Sequence, residues 1–390
     1  MKILASTNMP QVEDAFAAFG EVEIKDGRSI APADVKDADI LVTRSTTRLD
    51  SELLQGSSVK FVGTATIGID HVDCEYLEDR ALPWAYAPGC NANSVAEYVV
   101  GAILELRARG DIGLGRLTVG IVGVGNVGIL VAEKMAALGL AVLLCDPPRE
   151  RRSGMPASLP WKSLVAAAVP DTANPGTEVA APVFVSLDQL LAEADIVTLH
   201  IPLIPRGIDA TYRLADAAFF HRMKAGAAFI NTSRGGVVDP AALDAWIQAD
   251  ALGPVVIDTW EGEPKIDAAL MARADLATPH IAGYSHDGRL RGTEALYRAA
   301  CHVFDRPPEW SPSMDGAHHT PADTQLLDAV RLAYDIRDDD AALREQIEQF
   351  DELRRTYRMR REFKCWTINK SVDPDFQRQA IRLGFRVAAA

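Results

Sequence analysis

At 390 residues and 42.2 kDa the chain exceeds one ordinary domain, so two or three are expected. With 48% hydrophobic and 24% charged residues it is not a largely disordered polypeptide. A net charge of −14 and a pI near 5.1 argue against a general nucleic-acid coat or a polybasic membrane binder, while leaving room for a local cationic pocket.

The first residues turn polar too soon for a secretory signal, and no run approaches the roughly 20 apolar residues of a membrane span, so a cytoplasmic protein is expected. The five cysteines, Cys74, Cys90, Cys145, Cys301 and Cys365, are scattered and include no CxxC. Buried free thiols in a reducing compartment fit them better than disulfides or a zinc site. Cys90 has no nearby histidine in sequence and reads as a packing residue rather than a nucleophile.

Short apolar runs at 2–5, 22–24, 40–43, 59–64 and 83–87 alternate with helix-like stretches, the pattern of βαβ units building a parallel sheet. From 94 to about 109, Val95, Val99, Ala102, Ile103 and Leu106 share one helical stripe, which predicts a long helix between two domains. A second strand series follows at 118–122, 141–145, 196–200, 227–231, 255–258 and 276–277. Ser186 with Gln189 predicts a capping box, and Asp239 before Pro240 predicts a helix start. Residues 149–183 are Pro-, Ala- and Arg-rich without a period and read as a surface insertion. A Pro- and Ser-rich linker is expected at 305–316. Beyond it lies a small mixed module, with a helix from Thr324, a charged run at 337–340, a strand-like 363–368 and a helix opening at Asp373–Pro374. So few residues bury only a modest core, which predicts docking onto a second copy.

Gly123, Gly125 and Gly128 form a GxGxxG between the 118–122 strand and a helix whose stripe is Val127, Leu130, Val131, Met135 and Leu138, stopped at Gly139. The next strand ends in Asp146, eighteen residues after Gly128. In a dinucleotide fingerprint the first glycine makes the tight turn, the second lets a pyrophosphate approach and the third lets helix and strand pack. The phosphates then meet the helix N-terminus. Asp146 would bind the adenosine ribose and repel a 2′-phosphate, so NAD is expected rather than NADP.

Arg234, Glu263 and His280 each follow the end of a predicted strand, where ligands collect in open parallel sheets. Their chemistry suits oxidation of a 2-hydroxy acid. His280 would take the hydroxyl proton, Glu263 would orient the imidazole, and Arg234 would clamp the carboxylate. The remaining histidines, His286, His302, His318 and His319 among them, lack metal-ligand spacing, and no metal is expected.

The triad and the glycine fingerprint together resemble the D-isomer-specific 2-hydroxyacid dehydrogenases. The resemblance runs through 8–10, 44–45, 61–66, 70–73, 87–91, 120–128, 145–149, 258–264 and 278–284, and into the tail at 333–337, 350–354 and 383–385. The tail narrows it to the branch that oxidises 4-phospho-D-erythronate on the route to pyridoxal phosphate. The resemblance implies an α/β protein with a flavodoxin-like substrate domain (1–94, completed by about 284–304), an inserted Rossmann NAD domain (95–283) and a small α/β dimerisation domain (311–390). It implies that Ser45, Thr66 and Tyr284 contact the substrate. Arg44 above all, and Arg48, are candidates for the substrate phosphate, with tail arginines reaching from a partner subunit as the alternative. Asn126, Val127, Thr232, Asp258 and Gly283 join Gly123, Gly125, Gly128 and Asp146 on the cofactor side. A homodimer is implied, with no nucleic-acid or membrane partner. Another D-2-hydroxy acid such as D-3-phosphoglycerate, or a corepressor-like NAD sensor that keeps the triad, are the competing readings. The main departure from the family is the length of 149–183.

Overall fold

The computed structural model describes residues 1–113, 115, 117–153, 183–313, 318–320, 325–369 and 373–388. Most of the insertion expected at 149–183, the expected helix start Thr324 and part of the 305–316 linker therefore lie outside the described residues. The chain divides into two compact units, Met1–Asn93 with Tyr284–Gly316, and Ser94–Gly283 with Ala317–Ala390.

In the first unit five parallel strands, β1 (Lys2–Ser6), β2 (Glu21–Lys25), β3 (Ile40–Thr43), β4 (Phe61–Thr64) and β5 (Trp84–Tyr86), lie in the order β2-β1-β3-β4-β5. This is the flavodoxin-like order. β3 (Ile-Leu-Val-Thr) and β4 (Phe-Val-Gly-Thr) are buried along their whole length, as mainly apolar strands between two covered faces are. One face packs under the helix His286–Val303, where Leu296, Tyr297 and Ala300 meet Ile3, Phe16 and Phe61. The approach is close: a Cβ on Gly63 would fall 2.9 Å from the Leu296 side chain.

The second unit holds seven parallel strands: β6 (Thr118–Val122), β7 (Ala141–Cys145), β8 (Val183–Phe184), β9 (Ile196–Leu199), β10 (Ala228–Asn231), β11 (Val255–Ile257) and β12 (Leu276–Ala277). Their order, β8-β7-β6-β9-β10-β11-β12, reverses direction between β6 and β9. That is the doubly wound order with its switch point beside β6. β8, only two residues long, was not anticipated from the sequence. Ser186 caps the helix Leu187–Glu193 by accepting from the Gln189 N–H, but the Gln189 side chain bonds Glu193 instead of reaching back, so only half of the expected capping box forms. Asp239 caps Pro240–Gln248 as expected.

The tail belongs to this second unit. Leu343 and Phe350 sit in its main hydrophobic core with Leu199, Phe229 and Trp260. Asp340 accepts from the Ala277 N–H, and Arg344 donates to the carbonyls of Met271 and Ala274. The module thus finds part of its missing core on its own chain. The helix Ala92–Arg109 is correspondingly buried nearly all round rather than along one stripe, because tail residues cover it. Tyr334 packs beside Gly101 and Tyr98, and Arg331 pairs with Glu105 at 2.7 Å. The charged run at 337–340 is part of the helix Ile336–Glu345, and its Asp339 is buried. The strand-like 363–368 is half a 3-10 turn (Phe363–Cys365) and half β14 (Trp366–Ile368), which pairs with β13 (His318–His319) and β15 (Arg386–Val387). All five cysteines are free thiols, four buried and Cys74 half-buried. Among the described residues no helix is long and apolar enough to cross a membrane.

Candidate active site

The glycine turn follows β6 directly. Gly123 has φ +90°, and a Cβ there would lie 2.5 Å from the His200 carbonyl oxygen. A Cβ on Gly128 would lie 2.0 Å from the Gly123 carbonyl oxygen, so the helix Asn126–Ala137 can approach the turn only without one. Gly125 differs: a Cβ would meet nothing within 4 Å. It is the N-cap of that helix and has no side chain with which to cap the first amides, those of Asn126, Val127 and Gly128 among them. Uncapped donors at the end of a helix, under an open space, fit a pyrophosphate. Asp146 ends β7 as expected, but its carboxylate also braces the turn. Oδ2 accepts from the Val124 N–H at 2.8 Å and Oδ1 from the Arg149 N–H at 2.9 Å, while the Arg149 guanidinium donates to the Val124 carbonyl. Each oxygen keeps a lone pair for a ribose hydroxyl.

Past β10, Thr232 faces His200, its hydroxyl 3.2 Å from Nδ1, and the Thr198 hydroxyl is 3.0 Å from Nε2. Burial pushes His200 down to about 3, so it is neutral at any physiological pH. It sits at the switch point, against the glycine turn. Nothing in its sequence context marks it; its place at the end of β9 is the only clue. Arg234 follows in extended conformation, with Nη1 donating to the Ser233 carbonyl. Gly235 then passes so close to Trp260 that a Cβ would fall 1.9 Å from its carbonyl carbon.

His280 and Glu263 are brought together. Glu263 Oε2 is 2.7 Å from His280 Nδ1, and its Oε1 accepts from the Trp260 N–H at 2.7 Å. Burial pushes the Glu263 carboxyl up. The charge of His280, its hydrogen bond, the Trp260 amide and the charge of Arg354 outweigh that, so it stays below the ordinary carboxylate range. His280 itself has φ +55°, a left-handed conformation that costs a non-glycine residue about 1 kcal/mol or more. Its N–H donates to the Asp258 carbonyl at 2.8 Å, which helps hold the bend.

Asp258 is buried beneath this loop. Oδ1 accepts from the Thr278 hydroxyl and the Ile281 N–H, and Oδ2 from the Ala282 N–H. Its visible work is to anchor 278–282; a cofactor contact would be additional. Gly283, half-buried, follows directly.

In the first unit, Arg44 and Ser45 lie just past β3 and Thr66 just past β4, at the carboxyl ends of the strands. Ser45 is exposed; the Thr66 hydroxyl donates to the Gly68 carbonyl and lies 3.0 Å from Thr64 Oγ1, itself 2.8 Å from His71 Nε2. The Tyr284 ring is flanked by two guanidiniums, Arg44 at 5.5 Å and Arg289 at 5.9 Å. Arg289 carried no signal in the sequence beyond its charge. Arg48 is exposed and paired with Asp50.

Residues 162–282 match the model for "D-isomer specific 2-hydroxyacid dehydrogenase, NAD binding domain", and residues 307–384 match a "Domain of unknown function (DUF3410)". The chain is 42% identical to the erythronate-4-phosphate dehydrogenase of Salinibacter ruber, over 99% of this chain and 98% of that protein. It is 43% identical to the erythronate-4-phosphate dehydrogenase of Aeromonas hydrophila, over 99% of both. In fold it is similar to the D-lactate dehydrogenase of Aquifex aeolicus solved with NAD and lactic acid (TM-score 0.58, 22% identity, 78% of this chain and 96% of that one). The glycine turn, the His280–Glu263 pair and these likenesses lead to one conclusion: the chain belongs to the D-isomer-specific 2-hydroxyacid dehydrogenases, in the branch of the erythronate-4-phosphate dehydrogenases.

Proposed function

We propose that the protein oxidises 4-phospho-D-erythronate to (R)-3-hydroxy-2-oxo-4-phosphooxybutanoate with NAD, in the cytoplasm, as a step towards pyridoxal 5′-phosphate. The observation that carries this reading is the His280–Glu263 pair at 2.7 Å, just past the ends of β11 and β12 in an NAD-binding sheet. The names of its near full-length relatives supply the substrate.

Bound NAD supplies the acceptor for the hydride that leaves C2 of the substrate. His280 Nε2 takes the C2 hydroxyl proton as the carbonyl forms, and Nδ1 faces Glu263, whose charge stabilises the resulting imidazolium. Arg234 grips the substrate carboxylate through paired N–H donors and holds C2 in place. The amides at the start of Asn126–Ala137 hold the pyrophosphate, Asp146 the ribose, and Thr232, Asp258 and Gly283 the nicotinamide side. Ser45, Thr66, Tyr284 and Arg44 hold the rest of the substrate, Arg44 taking the phosphate. The tail joins two copies into a homodimer.

The test follows NADH absorbance with purified protein. Turnover of 4-phospho-D-erythronate, with the highest kcat/KM in a panel that includes D-3-phosphoglycerate, supports the reading. No turnover in either direction, or a preference for another acid, sinks it. Saturable NAD binding without turnover of any panel member would instead favour a sensor.

A further inference from the structure

The loop that carries His280 is braced from beneath by residues remote in sequence. The Thr278 hydroxyl, already donating to Asp258, lies 2.7 Å from the Tyr98 hydroxyl oxygen. The Tyr98 ring packs on Tyr334 at 5.9 Å. Tyr334 is covered in turn by the Arg360 guanidinium, only 3.7 Å from the ring centroid. Arg360 is 2% exposed, and it donates to two backbone carbonyls, Ser94 at 2.7 Å and Ala282 at 3.1 Å. The Ala282 N–H is bonded to Asp258. The residue two places after His280 is therefore gripped at both ends, by Asp258 at its amide and by the tail at its carbonyl.

A buried guanidinium is a costly way to glue a module down. Apolar side chains of similar volume do that as well or better, and the tail already has Leu343 and Phe350 in the core. What a planar cation adds is direction: its fork fixes two acceptors relative to each other. The acceptors here are at the start of the Ser94 segment and in the His280 loop.

We propose that Arg360 is a positioning residue, through which the C-terminal module fixes the 280–283 backbone and hence the aim of His280. The inference rests on the proposed oxidation for its kinetic arm alone. Arg360→Ala is expected to lower kcat roughly 10- to 100-fold, because a small misplacement of a catalytic group costs that much. The KM values for acid and NAD should move by less than kcat does, since Arg360 itself is assigned no contact with either ligand. Amide exchange across 278–284, followed by mass spectrometry of the full-length protein, should accelerate. Added guanidinium ion should restore part of both kcat and protection, and Arg360→Lys should retain an intermediate kcat. Folded Arg360→Ala protein with kcat within about twofold of wild type, or with unchanged exchange in 278–284, overturns the proposal. If Arg360→Ala does not fold, Arg360→Lys and Tyr98→Phe carry the same test. The second leaves Arg360 in place and removes only the hydroxyl under Thr278; unchanged exchange in both variants likewise overturns it. Should the wild type not oxidise 4-phospho-D-erythronate, the functional reading fails, while the exchange measurement still decides this one.

Discussion

The two units hold their candidate site residues in opposite ways. In the second unit the His280–Glu263 pair is over-determined: His280 is bent into a left-handed conformation, bonded to Glu263 and seated on buried Asp258, and Glu263 is pinned by the Trp260 amide. In the first unit, Ser45 and Arg48 are exposed, and the Tyr284 ring is flanked by two half-buried arginines at cation–π range. The difference matches what each set would do in the proposed reaction. A proton acceptor has to sit within a fraction of an ångström of its target, and preorganisation supplies that before substrate arrives. Groups that recognise a phosphorylated chain can collect around it on binding.

That contrast breaks first at His280. His280→Gln should lower kcat roughly 10²- to 10⁴-fold, with NAD binding by fluorescence titration retained; a smaller loss would remove it from the general-base role. Arg234→Met should lower kcat/KM roughly 10- to 150-fold through loss of a charge-assisted carboxylate contact, read from initial rates. In the first unit the effect should fall on KM instead. Arg44→Ala is expected to raise the KM for the phosphorylated acid about tenfold with kcat nearly unchanged. If kcat fell as far as KM rose, the first unit would be as preorganised as the second, and the comparison would fail. The acid limit of turnover sharpens the point. The folded carboxyl of Glu263 lies below its ordinary range, so its charge persists down through that range and is lost only as pH falls past the depressed value.

Much of this organisation was legible in the chain because it rests on local rules. Unbroken apolar runs marked the buried strands, and the glycine spacing marked a turn that the positive φ of Gly123 and the crowded Gly128 then explain. Residues at strand ends marked Arg234, Glu263 and His280. What stayed hidden depends on partners far along the chain. Helix Ala92–Arg109 reads as one stripe until Tyr334 and Arg331 cover its other side. Arg360, Arg361 and Glu362 carry no pattern that marks burial, yet all three are buried. Nothing local announces that Asp146 braces the Val124 amide, or that Gln189 turns to Glu193 instead of closing its capping box.

The smallest predicted effect concerns the same tail contact that sequence could not reveal. Glu97 accepts from the Phe363 N–H at 2.9 Å inside the helix–tail junction, where Lys134 donates to the Leu383 carbonyl and Glu362 accepts from the Ser94 hydroxyl. Burial, opposed by Lys134 and Arg360 and reinforced by Glu362, raises the Glu97 carboxyl to about 7. Its folded value exceeds its unfolded one, so the folded state binds the proton more tightly and stability from this group declines as pH rises from about 4.5 towards 7. Glu97→Gln keeps the acceptor for Phe363 and removes the titration. The variant should match wild type near the acid end of that window and exceed it above pH 7 by on the order of 1–2 kcal/mol in urea unfolding. A difference independent of pH would mean that Lys134 holds Glu97 ionised throughout, and the junction would then be a fixed ion pair rather than a protonated contact.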